Sequence, residues 1–151
     1  MKTKRGITLL ELLIVLGILV IVGGAAVAGV RAQQRRTLNN ASLTLQAHMR
    51  RLQQLAVLEG RNYRIIFNME DNSYLMRHQS WGSPSETVYL PQGVTIRHIS
   101  HPHNTTVLEF LPRGTPSAGM TVELQHGPFI QTLTVVPSGG RVYVNPVERL
   151  S

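Results

Sequence analysis

Cysteine is absent from the 151 residues, which excludes a disulfide framework, a thiol nucleophile and thiolate metal ligands. Lysine occurs only at Lys2 and Lys4, Asp71 is the only aspartate, and no proline precedes Pro84. Acids number 8 in all, and neither a Gly-x-Ser-x-Gly elbow nor a phosphate-cradling glycine loop ahead of a helix is present. General acid–base chemistry therefore has little to build on, and the chain reads as a non-enzyme with no cofactor. Aromatics are scarce as well, but apolar residues stay frequent throughout. Glycine and proline gather after residue 81, so that region reads as short strands and turns rather than disorder.

What the chain does have is an apolar run. Residues 7–30 carry one charge, Glu11. A helix of that length spans about 36 Å, enough for a hydrocarbon core of about 30 Å. The rival reading is a cleavable secretory signal, whose apolar stretch would be about 7 to 15 residues, with Ala26-Val27-Ala28 as the cut site. Lys2, Lys4 and Arg5 before the run hold the N-terminus in the cytoplasm and send the rest of the chain outward, while Arg31, Arg35 and Arg36 pull weakly the other way. Glu11 stands out because a carboxylate in an apolar helix is costly. Near the membrane edge it can snorkel to water; the sharper reading gives it a partner cation from another chain.

The residues around it are Lys4-Arg5-Gly6-Ile7-Thr8-Leu9-Leu10-Glu11. This segment resembles the start of type IV pilins and pseudopilins, whose precursors carry a short basic leader ending in Gly, then an apolar residue, Thr, two more apolar residues and Glu. Ile7 stands where that family most often has Phe. The resemblance implies a leader over 1–6, cleavage between Gly6 and Ile7 by a prepilin peptidase, and N-methylation of Ile7. It also implies that Glu11 neutralises the N-terminal amine of a neighbouring subunit as the helices of 7–30 pack into a filament. The lack of proline in the helix departs from many major pilins and favours a minor subunit.

Beyond the run, Leu38, Ala41, Leu45, Leu52 and Leu55 recur at helical spacing, flanked by Met49 and Ala56, so residues 31–60 read as the amphipathic outer half of the same helix. His48 falls on this stripe as a half-buried core edge, and Gly60 ends the pattern. From 61 to 151 the period is two. A hairpin over 63–68 and 74–77 is expected, then strands at 87–90, 94–99, 106–111, 120–125, 130–136 and 141–144, separated by glycine and proline turns. About eight strands after one helix predict an α+β fold with a mostly antiparallel sheet packed on the helix.

Leu108-Glu109-Phe110-Leu111-Pro112-Arg113-Gly114, the strand starting at Gly119, and Leu133-Thr134-Val135-Val136 leading to Gly139-Gly140-Arg141-Val142 are similar to the GspH/FimT group of minor pseudopilins and pilins. This resemblance implies a subunit near the tip of a type II secretion pseudopilus, sited in the inner membrane, with other pseudopilins and a secreted protein cargo as partners. The alternative is a minor type IV pilin or competence pseudopilin that contacts DNA. Some FimT-like pilins carry Gly-Arg-x-Arg near the C-terminus; Gly140-Arg141-Val142-Tyr143 keeps the first Arg and has Tyr143 in place of the second. A third reading is a signal-anchored binding domain without processing. From residue 31 onward arginine outnumbers the acids, which makes phosphate binding worth testing. Arg141, Arg149 and Arg113, with Arg97 behind them, are the candidate DNA contacts, at the end expected farthest from the membrane. His98, His101 and His103 form the densest imidazole cluster, but they lie on a proline-containing loop with no spaced carboxylate, and no metal site is expected there.

Overall fold

A computed structural model describes residues 9–78 and 85–150, with side chains at 21–28 left aside. The leader 1–6, Gly6 and Ile7 themselves, and parts of the 7–30 run therefore lie outside the described residues. Helix α1 covers Leu9–Glu59 and carries Glu11 in its first turn. It ends where Gly60 takes a φ of 64° and Arg61 N–H bonds back to the Ala56 carbonyl at 3.3 Å, the closure a glycine without a Cβ permits. Among the described residues no helix is long and apolar enough to cross a membrane.

The chain divides into two units, residues 1–33 and 34–151. In the first, the described apolar side chains from Leu9 to Val20 are all exposed. In the second, nine strands among the described residues form two antiparallel sheets, where the sequence suggested one. Strands β1 (Tyr63–Asn68), β2 (Ser73–His78), β3 (Glu86–Tyr89) and β5 (Val107–Phe110) make the first sheet in the order β3-β2-β1-β5. Strands β4 (Val94–Ser100), β6 (Met120–His126), β7 (Phe129–Val135) and β8 (Val142–Val144) make the second in that order, and β9 (Glu148–Arg149) also pairs with β7. The expected hairpin is β1 and β2, with Tyr63 opposite His78 and Asn68 opposite Ser73. A 3₁₀ turn at Ser138–Gly140 leads into β8.

One hydrophobic core joins the helix to both sheets. Leu38, Leu45 and Met49 of α1 are fully buried, as are Ile65, Leu108, Phe110, Val122, Leu124 and Leu133 of the strands. The helical stripe predicted from spacing is the buried face, with Leu55 at its margin. Each fully buried aliphatic side chain contributes about 1.5–3 kcal/mol, so the stripe orients the outer half of α1 against the sheets. Polar ties fix the register along it. Gln131 Nε2 donates to Asn39 Oδ1 at 3.2 Å, Gln46 Nε2 to the Val142 carbonyl at 2.7 Å, and Gln53 Nε2 to the Gly114 carbonyl at 2.6 Å. The β6–β7 turn thus lies beside the Gln34–Asn39 part of the helix, where a Cβ on Gly127 would meet Gln34, while the 112–115 and 138–141 turns lie beside Gln53.

Candidate interaction groove on the second unit

Two sharp turns build the site. Pro112, Arg113 and Gly114 follow β5, and Gly114 N–H donates to the Leu111 carbonyl at 2.8 Å with Gly114 at a φ of 76°. Gly139 and Gly140 take φ values of 84° and 64°, and Val136 N–H donates to the Arg141 carbonyl at 3.0 Å. Left-handed backbone of this kind strongly favours glycine, which accounts for Gly114, Gly139 and Gly140 at these turns. Gly140 also has no room for a side chain, because a Cβ there would collide with Gln53 Nε2 and approach the Gly114 carbonyl oxygen to 2.8 Å. Gln53 is therefore the pin that draws the two turns onto the helix.

Between α1 and these turns runs an open groove. One stretch, of about 560 Å³, is bordered by Gln46, Arg50, Arg141 and Tyr143. The next, of about 580 Å³, is bordered by Val57, Leu58, Arg113 and Thr115, and the two share Gln53, Gln54 and Gly139. Arg141 and Arg113 thus flank one continuous surface. Arg50 joins them from the helix; the sequence reading missed it, because on α1 it is one exposed residue among several opposite the buried stripe. Only its spacing from Leu43 and Val57, one heptad each way, marks the shared face.

Arg149 is not with them. Its strand β9 pairs with the Phe129 end of β7, whereas β8, next to Arg141, pairs with the Val135 end. Seven residues of extended chain put those ends about 20 Å apart. The chain reverses at Ser138–Gly140 and then runs on along one edge of β7 through β8 to β9, so Arg149 ends at the opposite end of that strand from Arg141. Arg97 lies on β4, at the opposite edge of the second sheet, and faces Glu123 at 3.9 Å. Tyr143 is half exposed on β8 rather than packed into the core.

His98 projects from β4, and His101 and His103 sit in the loop after it, their rings 5.6 Å apart. His103 N–H donates to His101 Nδ1 at 3.1 Å, which commits that nitrogen. Burial, and secondarily His103, push the His101 pKa below its ordinary value. Among the described residues no three histidines or carboxylates converge as metal ligands. His48 Nδ1 and Tyr74 Oη are 2.8 Å apart at the margin of the core, as a half-buried stripe histidine requires.

Residues 1–27 match the prokaryotic N-terminal methylation motif. A comparison with curated proteins finds no match. The fold is similar to that of the minor pseudopilin EpsH of the type II secretion system of Vibrio cholerae, with a TM-score of 0.62 at 11% identity over 72% of this chain and 96% of that one. It is also similar to the type IV minor pilin FimU of Pseudomonas aeruginosa, with a TM-score of 0.58 at 17% identity over 74% of this chain and 90% of that one. The chain thus joins a prokaryotic N-terminal methylation motif to the α+β fold of type IV pilin-like subunits, a fold that minor pseudopilins and minor pilins share.

Proposed function

We propose that this chain is a minor pseudopilin of a type II protein secretion system, placed near the tip of the pseudopilus and helping to export folded proteins. The observation that carries the reading is the pairing of Gly6-Ile7-Thr8-Leu9-Leu10-Glu11 with a pilin-like domain. A prepilin peptidase removes residues 1–6 and methylates the amine of Ile7. Residues 7–30 then anchor the subunit in the inner membrane, with the N-terminus cytoplasmic and the domain outside. The exposed apolar side chains from Leu9 to Val20 support this, since a continuous apolar surface of that extent needs lipid or neighbouring helices to cover it. During assembly Glu11 neutralises the Ile7 amine of a neighbour, which offsets the cost of a carboxylate among apolar groups.

The test is co-expression with a prepilin peptidase, followed by intact-mass analysis and a secretion assay in cells lacking the endogenous subunit. Loss of residues 1–6 with gain of one methyl group, and restored export, are expected. An unprocessed chain would overturn the reading and leave a signal-anchored binding domain. A DNA-contacting minor pilin or competence pseudopilin is the second reading, favoured by Arg113 and Arg141 on one groove. Tyr143 in place of a second arginine favours the secretion role. Processing with no restored export, together with salt-sensitive DNA affinity lost on Arg141→Ala, would move the assignment to DNA uptake.

A further inference from the structure

The groove beside α1 carries cations without counter-charges. The three ion pairs among the described residues engage Arg51, Arg64 and Arg97, and none engages Arg50, Arg113 or Arg141. No aspartate or glutamate lines either stretch of the groove. Between the arginines the walls are apolar and open to solvent, with Leu43 46%, Val57 53%, Leu58 79% and Tyr143 48% exposed. This surface offers positive charge and uncovered hydrocarbon in alternation.

The strand at its border adds a directional element. Arg141 and Asn145 bond through their backbones to Val136 and Thr132, so in an antiparallel ladder the backbone groups of Val142 and Val144 face the other way, toward the helix. The Val142 carbonyl accepts from Gln46 there. Between Leu43 and Leu58 the helix rises about 22 Å, the length of about seven residues of extended chain.

We infer that this groove binds an extended, acidic and apolar segment of a partner protein, its carboxylates on Arg50, Arg113 and Arg141 and its alternate apolar side chains on Leu43, Tyr143, Val57 and Leu58. An extended chain presents its side chains with a period of two, which lets one segment meet both chemistries. Charge complementarity selects acid, and the apolar walls select a peptide over a phosphodiester chain, whose charged backbone would leave those side chains wet. The filament reading bears only on which partner supplies the segment. The test below reads the groove alone and is blind to processing and assembly, so either can fail without the other.

The full-length protein in detergent is titrated with a labelled, end-capped heptapeptide alternating Glu with Val and Leu, with its Gln counterpart, and with a single-stranded oligonucleotide of equal charge. The Glu peptide should bind about tenfold more tightly than the Gln peptide and lose affinity with added salt. Arg50→Gln and Arg141→Gln should each weaken it about two- to fivefold, and Arg149→Gln, at the other end of β7, should leave it unchanged. All three are exposed positions, and circular dichroism verifies that the variants remain folded. Absent binding, equal affinity for the two peptides, or equal sensitivity to Arg149→Gln overturns the proposal; tighter binding of the oligonucleotide overturns it in favour of nucleic acid.

Discussion

His48 on the helix and Tyr74 on the second strand meet at 2.8 Å, tying α1 to the first sheet by a polar contact at the margin of the core. Burial, with a smaller contribution from the nearby Glu86 charge, pushes the Tyr74 pKa far above its ordinary value, so the phenol stays protonated while it shares a hydrogen bond with the imidazole. Tyr74→Phe keeps the ring against Phe67, 6.1 Å away between centroids, and removes only the hydroxyl. It should cost about 1–2 kcal/mol by denaturant unfolding. A double-mutant cycle with His48→Ala should return a coupling of at least about 0.5 kcal/mol; strict additivity would show that the two groups stabilise independently.

Gly140 should be the least tolerant glycine of the groove. Gly140→Ala places a methyl group against Gln53 Nε2 and the Gly114 carbonyl on a backbone of positive φ. The expected loss is about 1–3 kcal/mol, measured by thermal or denaturant unfolding. Gly139→Ala is the control: its φ is also positive, but a Cβ meets nothing within 4 Å, so its cost should be the smaller. Equal effects would mean that backbone strain, not the Gln53 contact, sets the requirement.

The loop after β4 should give the domain an acid sensitivity. His101 has a folded-state pKa below its unfolded value of 6.5, chiefly because burial penalises the charged ring. The unfolded chain therefore takes up the proton at a higher pH than the folded chain does. This contribution is fully present above pH 6.5 and is lost as pH falls toward the folded value. His101→Gln should flatten the stability-versus-pH curve over that window. An unchanged slope would assign the sensitivity to other groups.

At the other end of the chain, Glu11→Ala should leave membrane insertion intact, since it removes a charge from an apolar helix, while impairing incorporation into filaments. Fractionation checks the first expectation and shear release of filaments the second. Normal incorporation would sink the role assigned to Glu11.

The parts of this fold that were legible in the sequence are those fixed by local periodicity. Leu38, Leu45 and Leu52 announce their helix face by spacing alone, and Gly60, Gly114 and Gly140 announce their turns because few other residues adopt that backbone. The division into two sheets was not legible: β1 takes its second neighbour from residues 107–110, and nothing in either strand records that choice. Strand β9 was missed because Glu148 and Arg149 are both exposed, so no alternation marks them. The same gap placed Arg149 beside Arg141. Charge clusters are products of tertiary path, and the arginine that completes the groove, Arg50, comes from an element read only for its apolar face.

The pairing around β7 has a practical consequence for handling the protein. One edge of Phe129–Val135 is held by β6, while the other is covered in two short pieces, by Val142–Val144 and by Glu148–Arg149. Among the described residues, the strands that shield that edge both come from the last ten residues of the 151. A chain trimmed at residue 141 would retain most of its buried side chains yet leave the amides and carbonyls of every second residue unpaired along one edge of the seven-residue β7, a template for pairing with other molecules. Poor solubility after C-terminal trimming, or after fusing a bulky tag directly to Ser151, would then report an uncovered strand rather than a damaged core.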